Sequence, residues 1–140
     1  MDPRAKFIEG CLSDTALVKQ AVRDAKAEYI LHFAANALVG ESMTNPGKYF
    51  RNNVASGLNL LDAAVEFGVK KFVFSSTCAT YGPPDRVPMT EDLPQRPINP
   101  YGESKLMFET CLRWYHRAYG LRAVSFRYFN AAGATEHRGE

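Results

Sequence analysis

Apolar runs alternate along this chain with segments of helical period. Lys6-Phe7-Ile8-Glu9 is a short candidate strand that stops at Gly10. Asp14 stands where an N-cap belongs, and Leu17, Val18, Ala21 and Val22 share one face of a helix reaching about Ala25. Tyr29-Ile30-Leu31-His32-Phe33 predicts a buried strand. A longer helix starts after Pro46 and runs to about Phe67, where Gly68 stops it, with Val54, Leu58, Leu61 and Val65 as its apolar stripe. Phe72-Val73-Phe74-Ser75 is the next strand, and a proline-rich loop follows from Gly82 to Pro100. Asn99 and Pro100 supply an N-cap and an N1 proline for a helix ending near Gly120, and Arg122 to Phe126 forms the last strand. Strands separated by helices predict βαβ units, hence an α/β fold with a parallel sheet covered on both faces.

Parallel sheets of this kind bind ligands beyond the C-terminal ends of their strands. The clusters after the strands are Cys11-Leu12, Phe33 to Ala37, Ser75 to Thr77 and Tyr128 to Asn130, and all four are expected along one sheet edge. Composition changes little: 46% hydrophobic and 23% charged residues are ordinary for a globular chain. A net charge of +2 gives no reason to expect nucleic acid or an anionic membrane as partner. No apolar run reaches the roughly 18–20 residues of a membrane span. Cys11, Cys78 and Cys111 are too few and too scattered for a disulfide framework or a zinc site, and read as free thiols of a cytoplasmic protein. His116 and His137 lack metal-ligand spacing, so no metal is expected. His32, Tyr49, Phe50, Trp114 and Tyr115 read as packing residues.

The chemistry concentrates at Tyr101 and Lys105, which share a helix face at i and i+4. A phenol is a poor base at neutral pH, but an ammonium about 6 Å away, at an effective dielectric of about 20, favours the phenolate by roughly 3 kcal/mol. The first turn of a helix favours negative charge as well. Such a tyrosine suits general acid/base work. A hydroxyl from Ser75, Ser76 or Thr77, about two dozen residues upstream, could hydrogen-bond the same substrate oxygen.

The chain further reads His-Phe-Ala-Ala at 32–35, Val-Gly-Glu-Ser at 39–42, Asn-Asn-Val at 52–54, Ser-Ser-Thr-Cys-Ala-Thr-Tyr-Gly at 75–82, Pro-Tyr-Gly-Glu-Ser-Lys at 100–105 and Arg-Tyr-Phe-Asn at 127–130. In order and spacing these blocks resemble the UDP-sugar 4-epimerases in the extended branch of the short-chain dehydrogenase/reductase family, the NAD-dependent epimerases and dehydratases. The resemblance implies 4-epimerisation of UDP-glucose/UDP-galactose through transient oxidation at C4, with NAD as cofactor. It implies Tyr101 as acid/base, Lys105 on the nicotinamide ribose, and Thr77 in place of the usual serine. It implies cofactor contacts from Cys11, Leu12, Phe33, Ala34, Ala35, Asn36, Ala37, Asn52, Thr77, Tyr101, Lys105 and Phe129, and substrate contacts from Thr77, Tyr101 and Asn130. It also implies a homodimer through the helices around 46–67 and 100–119.

Two positions depart from the family pattern: Cys11 replaces an acidic residue that faces the adenine, and Ala37 replaces a lysine found in some members. By the same resemblance, residues 1–127 are the central and C-terminal part of an NAD-binding, partial Rossmann-like, doubly wound domain lacking its first βαβ unit. Residues 128–140 begin a substrate-binding region. The 140 residues contain no Gly-x-x-Gly-x-x-Gly turn to hold a pyrophosphate. The chain alone is therefore expected to be inactive, and a non-catalytic binding or interaction module is the rival reading. A UDP-xylose/UDP-arabinose 4-epimerase is a further alternative. A 4,6-dehydratase is disfavoured, because Cys78 and Ala79 stand where that reaction needs an Asp-Glu pair.

Overall fold

The computed structural model describes residues 4–134; His137 and the rest of 135–140 lie outside the described residues. Helix α1 (Thr15–Asp24) is capped by Asp14, whose side chain accepts from Leu17 N–H, and buries Val18 and Val22. Strand β1 (Tyr29–His32) follows, then α2 (Val39–Thr44) and α3 (Pro46–Tyr49), a π-helical turn (Phe50–Ala55) and α4 (Ser56–Glu66). Strand β2 (Lys71–Thr77) runs into a short 3-10 turn (Cys78–Thr80). Helix α5 (Pro100–Tyr119) ends at Gly120 in the left-handed conformation, and β3 (Arg122–Tyr128) closes the described elements.

The strands form one parallel sheet in the order β1-β2-β3, with His32 beside Phe74 and Thr77 beside Tyr128. The core lies on one face of it. Ile30, Phe72 and Phe74 point at Val18 and Val22 of α1, Leu61 and Ala64 of α4, and Phe108 and Leu112 of α5. His32 packs there as expected, stacked on Phe74 with centroids 5.7 Å apart. Burial, and next the charge of Lys105, pull its pKa down to about 4, so the ring is neutral at pH 7.

Four expectations change. Lys6–Glu9 is not a strand: it pairs with none of the three, and Phe7 is exposed, because a strand exists only through its ladder. Among the described residues the sheet is covered on one face only, and Tyr29, Leu31, Val124 and Phe126 lie exposed on the other. Right-handed crossovers that step steadily from β1 to β3 must all pass over the same face. The long helix is not uniformly α-helical. Its π turn adds a residue to the spiral, so the buried line is Tyr49, Asn53, Gly57, Leu61 and Ala64, while Val54, Leu58 and Val65 are half-buried. Trp114 is exposed on the outer face of α5, with the Arg117 guanidinium over its ring, rather than packed.

Candidate active site

The first turn of α5 is pinned at two points. Asn99 Oδ1 accepts from Gly102 N–H at 2.8 Å. Gly102 itself lies against the turn after β2, where an added Cβ would sit 2.6 Å from Ala79 O. The glycine of Tyr-Gly-Glu-Ser-Lys thus permits the close approach that brings Tyr101 beside the end of β2. Gly102→Ala is expected to destabilise the fold by about 1–3 kcal/mol through overpacking, offset by up to about 1 kcal/mol of helix propensity. Urea unfolding measures this, and an unchanged midpoint would mean that the approach is not tight.

Lys105 is 3% exposed, and its Nζ donates to Ser75 O at 2.8 Å. The ammonium lies 4.8 Å from the Phe74 ring centroid and 5.9 Å from that of Tyr101. Burial lowers its pKa to about 8. It remains charged at pH 7, one turn from a half-buried phenol that is edge-on to Tyr49. Thr77 is the last residue of β2 rather than a residue beyond it. Its Oγ1 accepts from Ala79 N–H, which leaves its own O–H to donate elsewhere. Tyr101 and Lys105 thus stand in the first turns of α5, and Thr77 ends the strand whose following turn Gly102 touches.

A second group lies around the loop after β1. Cys11, Asn36 and Asn52 line one open polar cleft of about 510 Å³, together with Lys48 and Arg51. Lys48 is tied to Glu41 at 2.6 Å. Hydrogen bonding from Ser13 holds the Cys11 thiol below its ordinary pKa. Leu12 and Ala34 border an adjoining apolar cleft of about 260 Å³ with Cys11. Phe33, Ala34 and Ala37 are exposed and Ala35 is half-buried, so small side chains leave this loop's backbone approachable. Phe129 lines a separate cleft of about 270 Å³ with Tyr81 and Met89, and Asn130 lies exposed just past it. The structure thus gathers the expected residues along the C-terminal sheet edge in three groups rather than in one pocket.

Asn53 was not singled out from the sequence, yet it joins two of these groups. It is 3% exposed and fully bonded. Its Oδ1 accepts from Asn36 N–H at 2.8 Å and from Asn52 Nδ2 at 3.0 Å, and its Nδ2 donates to Asn36 O and Ser104 Oγ, each at 3.0 Å. Ser104 Oγ in turn donates to Tyr101 O at 2.7 Å. The apolar stripe legible in the sequence, Val54, Leu58, Leu61 and Val65, excludes residue 53, so no sequence signal marked it.

The donor set around Asn36 and Asn52, with two cations and an approachable backbone, fits a phosphorylated dinucleotide such as NAD. All 140 residues match the NAD dependent epimerase/dehydratase family model. The UDP-glucose 4-epimerase of Streptococcus mutans is 55% identical over 133 residues, which are 94% of this chain and 40% of that protein. The solved UDP-glucose 4-epimerase of Brucella ovis in complex with NAD superposes with a TM-score of 0.94 at 46% identity, covering 97% of this chain and 42% of that one. The enzyme of Bifidobacterium longum, solved with NAD+ and UDP, gives 0.90 at 39% identity, covering 95% and 41%. The chain spans about two-fifths of the length of these relatives. On this sequence match and this geometry, the chain belongs to the NAD dependent epimerase/dehydratase family.

Proposed function

We propose that these residues carry the acid/base centre of an NAD-dependent UDP-sugar 4-epimerase, acting on UDP-glucose and UDP-galactose. One observation carries the reading: the Tyr101–Lys105 turn of α5 is packed by Gly102 against the turn that directly follows Thr77 at the end of β2. Tyr101 Oη takes the proton from the sugar 4-hydroxyl and later returns it. Thr77 O–H donates to the same oxygen and orients it. Lys105 holds the nicotinamide ribose and keeps a positive charge beside Tyr101. Bound NAD would supply the acceptor for the C4 hydride and its return to the opposite face of the 4-keto sugar, which inverts C4.

Cys11, Leu12, the backbone of residues 33–37, and Asn52 form the cofactor-facing group, with Phe129 near the nicotinamide and Asn130 toward the substrate diphosphate. Residues 1–127 then belong to the cofactor domain and 128–140 to the start of the substrate region. The exposed Met107 and Trp114 on α5 support a homodimer through this helix and the 46–67 helix. A cytoplasmic setting suits the three free thiols. Among the described residues no helix is long and apolar enough to cross a membrane.

Two measurements test this. The 140-residue chain is titrated with NAD and assayed for UDP-galactose/UDP-glucose interconversion, with UDP-xylose as a competing substrate. The same assay is run on a chimera in which the chain is flanked by the remaining segments of the Streptococcus mutans relative. Weak NAD binding without turnover by the chain alone, and hexose turnover by the chimera, are expected. A chimera that folds and binds NAD but turns nothing over refutes the epimerase reading.

A further inference from the structure

Glu109 lies on α5, one turn past Lys105, and is 3% exposed. Each of its carboxylate oxygens accepts twice. Oε1 takes Ser76 Oγ at 2.5 Å and Arg127 Nε at 3.1 Å. Oε2 takes Arg127 Nη2 at 2.8 Å and Gln95 Nε2 at 3.3 Å. The acceptor capacity of the group is filled. The remaining arm of the guanidinium, Nη1, donates to Tyr81 Oη at 2.6 Å, and the cation stands 5.0 Å from the Tyr81 ring centroid. One carboxylate therefore gathers the end of β2, the end of β3, the turn after β2, and the proline-rich loop onto α5. Ser76 and Arg127 are also direct partners in the β2–β3 ladder.

The placement of this cluster points to what it does. Ser76 immediately precedes Thr77, and Arg127 precedes Phe129 by two residues. Burial pushes the Glu109 carboxyl up, but the hydrogen bonds from Arg127 and Ser76 and the Arg127 charge outweigh it and hold the group below its ordinary value. A buried ion pair is a weak source of stability, because desolvation cancels much of the attraction and a packed apolar pair serves as well. What a guanidinium–carboxylate fork supplies, and an apolar contact does not, is direction.

We propose that Glu109 is a positioning residue. Through Ser76 and Arg127 it fixes the C-terminal ends of β2 and β3, and with them Thr77 and Phe129, against the helix that carries Tyr101 and Lys105. Its effect on turnover rests on the epimerase reading above; its effect on the strand ends does not.

The test therefore has two arms. In the 140-residue chain, Glu109→Gln keeps the shape but turns one acceptor into a donor facing the Arg127 fork. Arg127→Lys keeps the charge but loses the fork, and Ser76→Ala removes one bond and leaves the ion pair. Amide exchange by NMR is expected to quicken about tenfold or more at Thr77–Ala79 and Tyr128–Phe129 in the first two variants, and less in the third, with Val22, Leu31 and Leu61 unchanged. In the chimera, Glu109→Gln and Arg127→Lys are expected to lower kcat by about 10- to 100-fold, with KM for UDP-galactose within about twofold.

Exchange that rises uniformly along the chain, or not at all, overturns the proposal. So does an Arg127→Lys variant with native exchange and kcat, or a change confined to KM. If Glu109→Gln does not fold, Ser76→Ala decides by the same pattern. If the unsubstituted chimera is inactive, the epimerase reading fails while the exchange arm still decides the role of Glu109.

Discussion

Tyr101→Phe in the chimera is expected to lower epimerase turnover by about 10²–10⁴-fold, the range that general acid/base groups contribute. The substitution removes one oxygen and keeps the ring. Tyr101 is half-buried, and the ring packs edge-on to Tyr49 with centroids 6.5 Å apart, a contact that phenylalanine preserves. The main-chain carbonyl of residue 101 still accepts from Ser104 Oγ, so the first turn of α5 keeps its tie to Asn53. Stability is therefore expected to move by no more than about 0.5 kcal/mol, as for substitutions away from packed or bonded features. The loss should appear in kcat and in kcat/KM alike, since the proton is transferred only on the way to the transition state. Phenylalanine at this position with native kcat would remove Tyr101 from the chemistry. A stability loss of several kcal/mol would instead show that the hydroxyl is structural.

How much of this was legible in the sequence depends on the range over which each feature is decided. The start of α5 is local. Asn99, Pro100 and the Tyr101–Lys105 spacing can be read in a single turn, and the structure places each as read. The parallel order of the strands follows from alternation of elements, and the shared sheet edge follows from that order. Features that need a partner elsewhere in space were misread. Lys6–Glu9 has strand composition but no ladder. Leu31 and Val124 have core composition but no layer over them among the described residues. The π turn does not show in the periodicity, and the close approach just past it is tertiary: Gly57 lies where a Cβ would come within 2.5 Å of Phe108. Asn53 and Glu109 were missed for a related reason. Such a polar residue is unremarkable in sequence until its distant partners, 17 and 51 positions away for Asn53, are brought beside it.

Lys105→Met is expected to strengthen the fold at pH 7 while weakening NAD retention and turnover. The ammonium is buried against Phe74 with one backbone oxygen as its acceptor, and burial lowers its pKa from 10.5 to about 8. That difference is worth about 3 kcal/mol against the charged form in the folded state. Below pH 8 both states are protonated and the folded chain carries the whole cost. Between about pH 8 and 10.5 the unfolded chain binds more protons than the folded one, so stability rises with pH. Methionine keeps much of the stem volume without the charge, and loses the bond to Ser75 O. A net gain of about 1–3 kcal/mol at pH 7 is therefore expected, shrinking toward pH 10.5 as the native lysine neutralises. Urea midpoints at pH 7 and pH 10 for both chains read this directly. A methionine variant less stable at pH 7, or a native chain whose stability does not rise above pH 8, would contradict the buried charge. The same substitution removes the cation that keeps Tyr101 beside a positive charge. In the chimera it should lower kcat even where NAD is saturating, which separates that role from cofactor binding. A stability gain together with a lower kcat in Lys105→Met would mark Lys105 as a residue that costs the fold stability and is held in place by function.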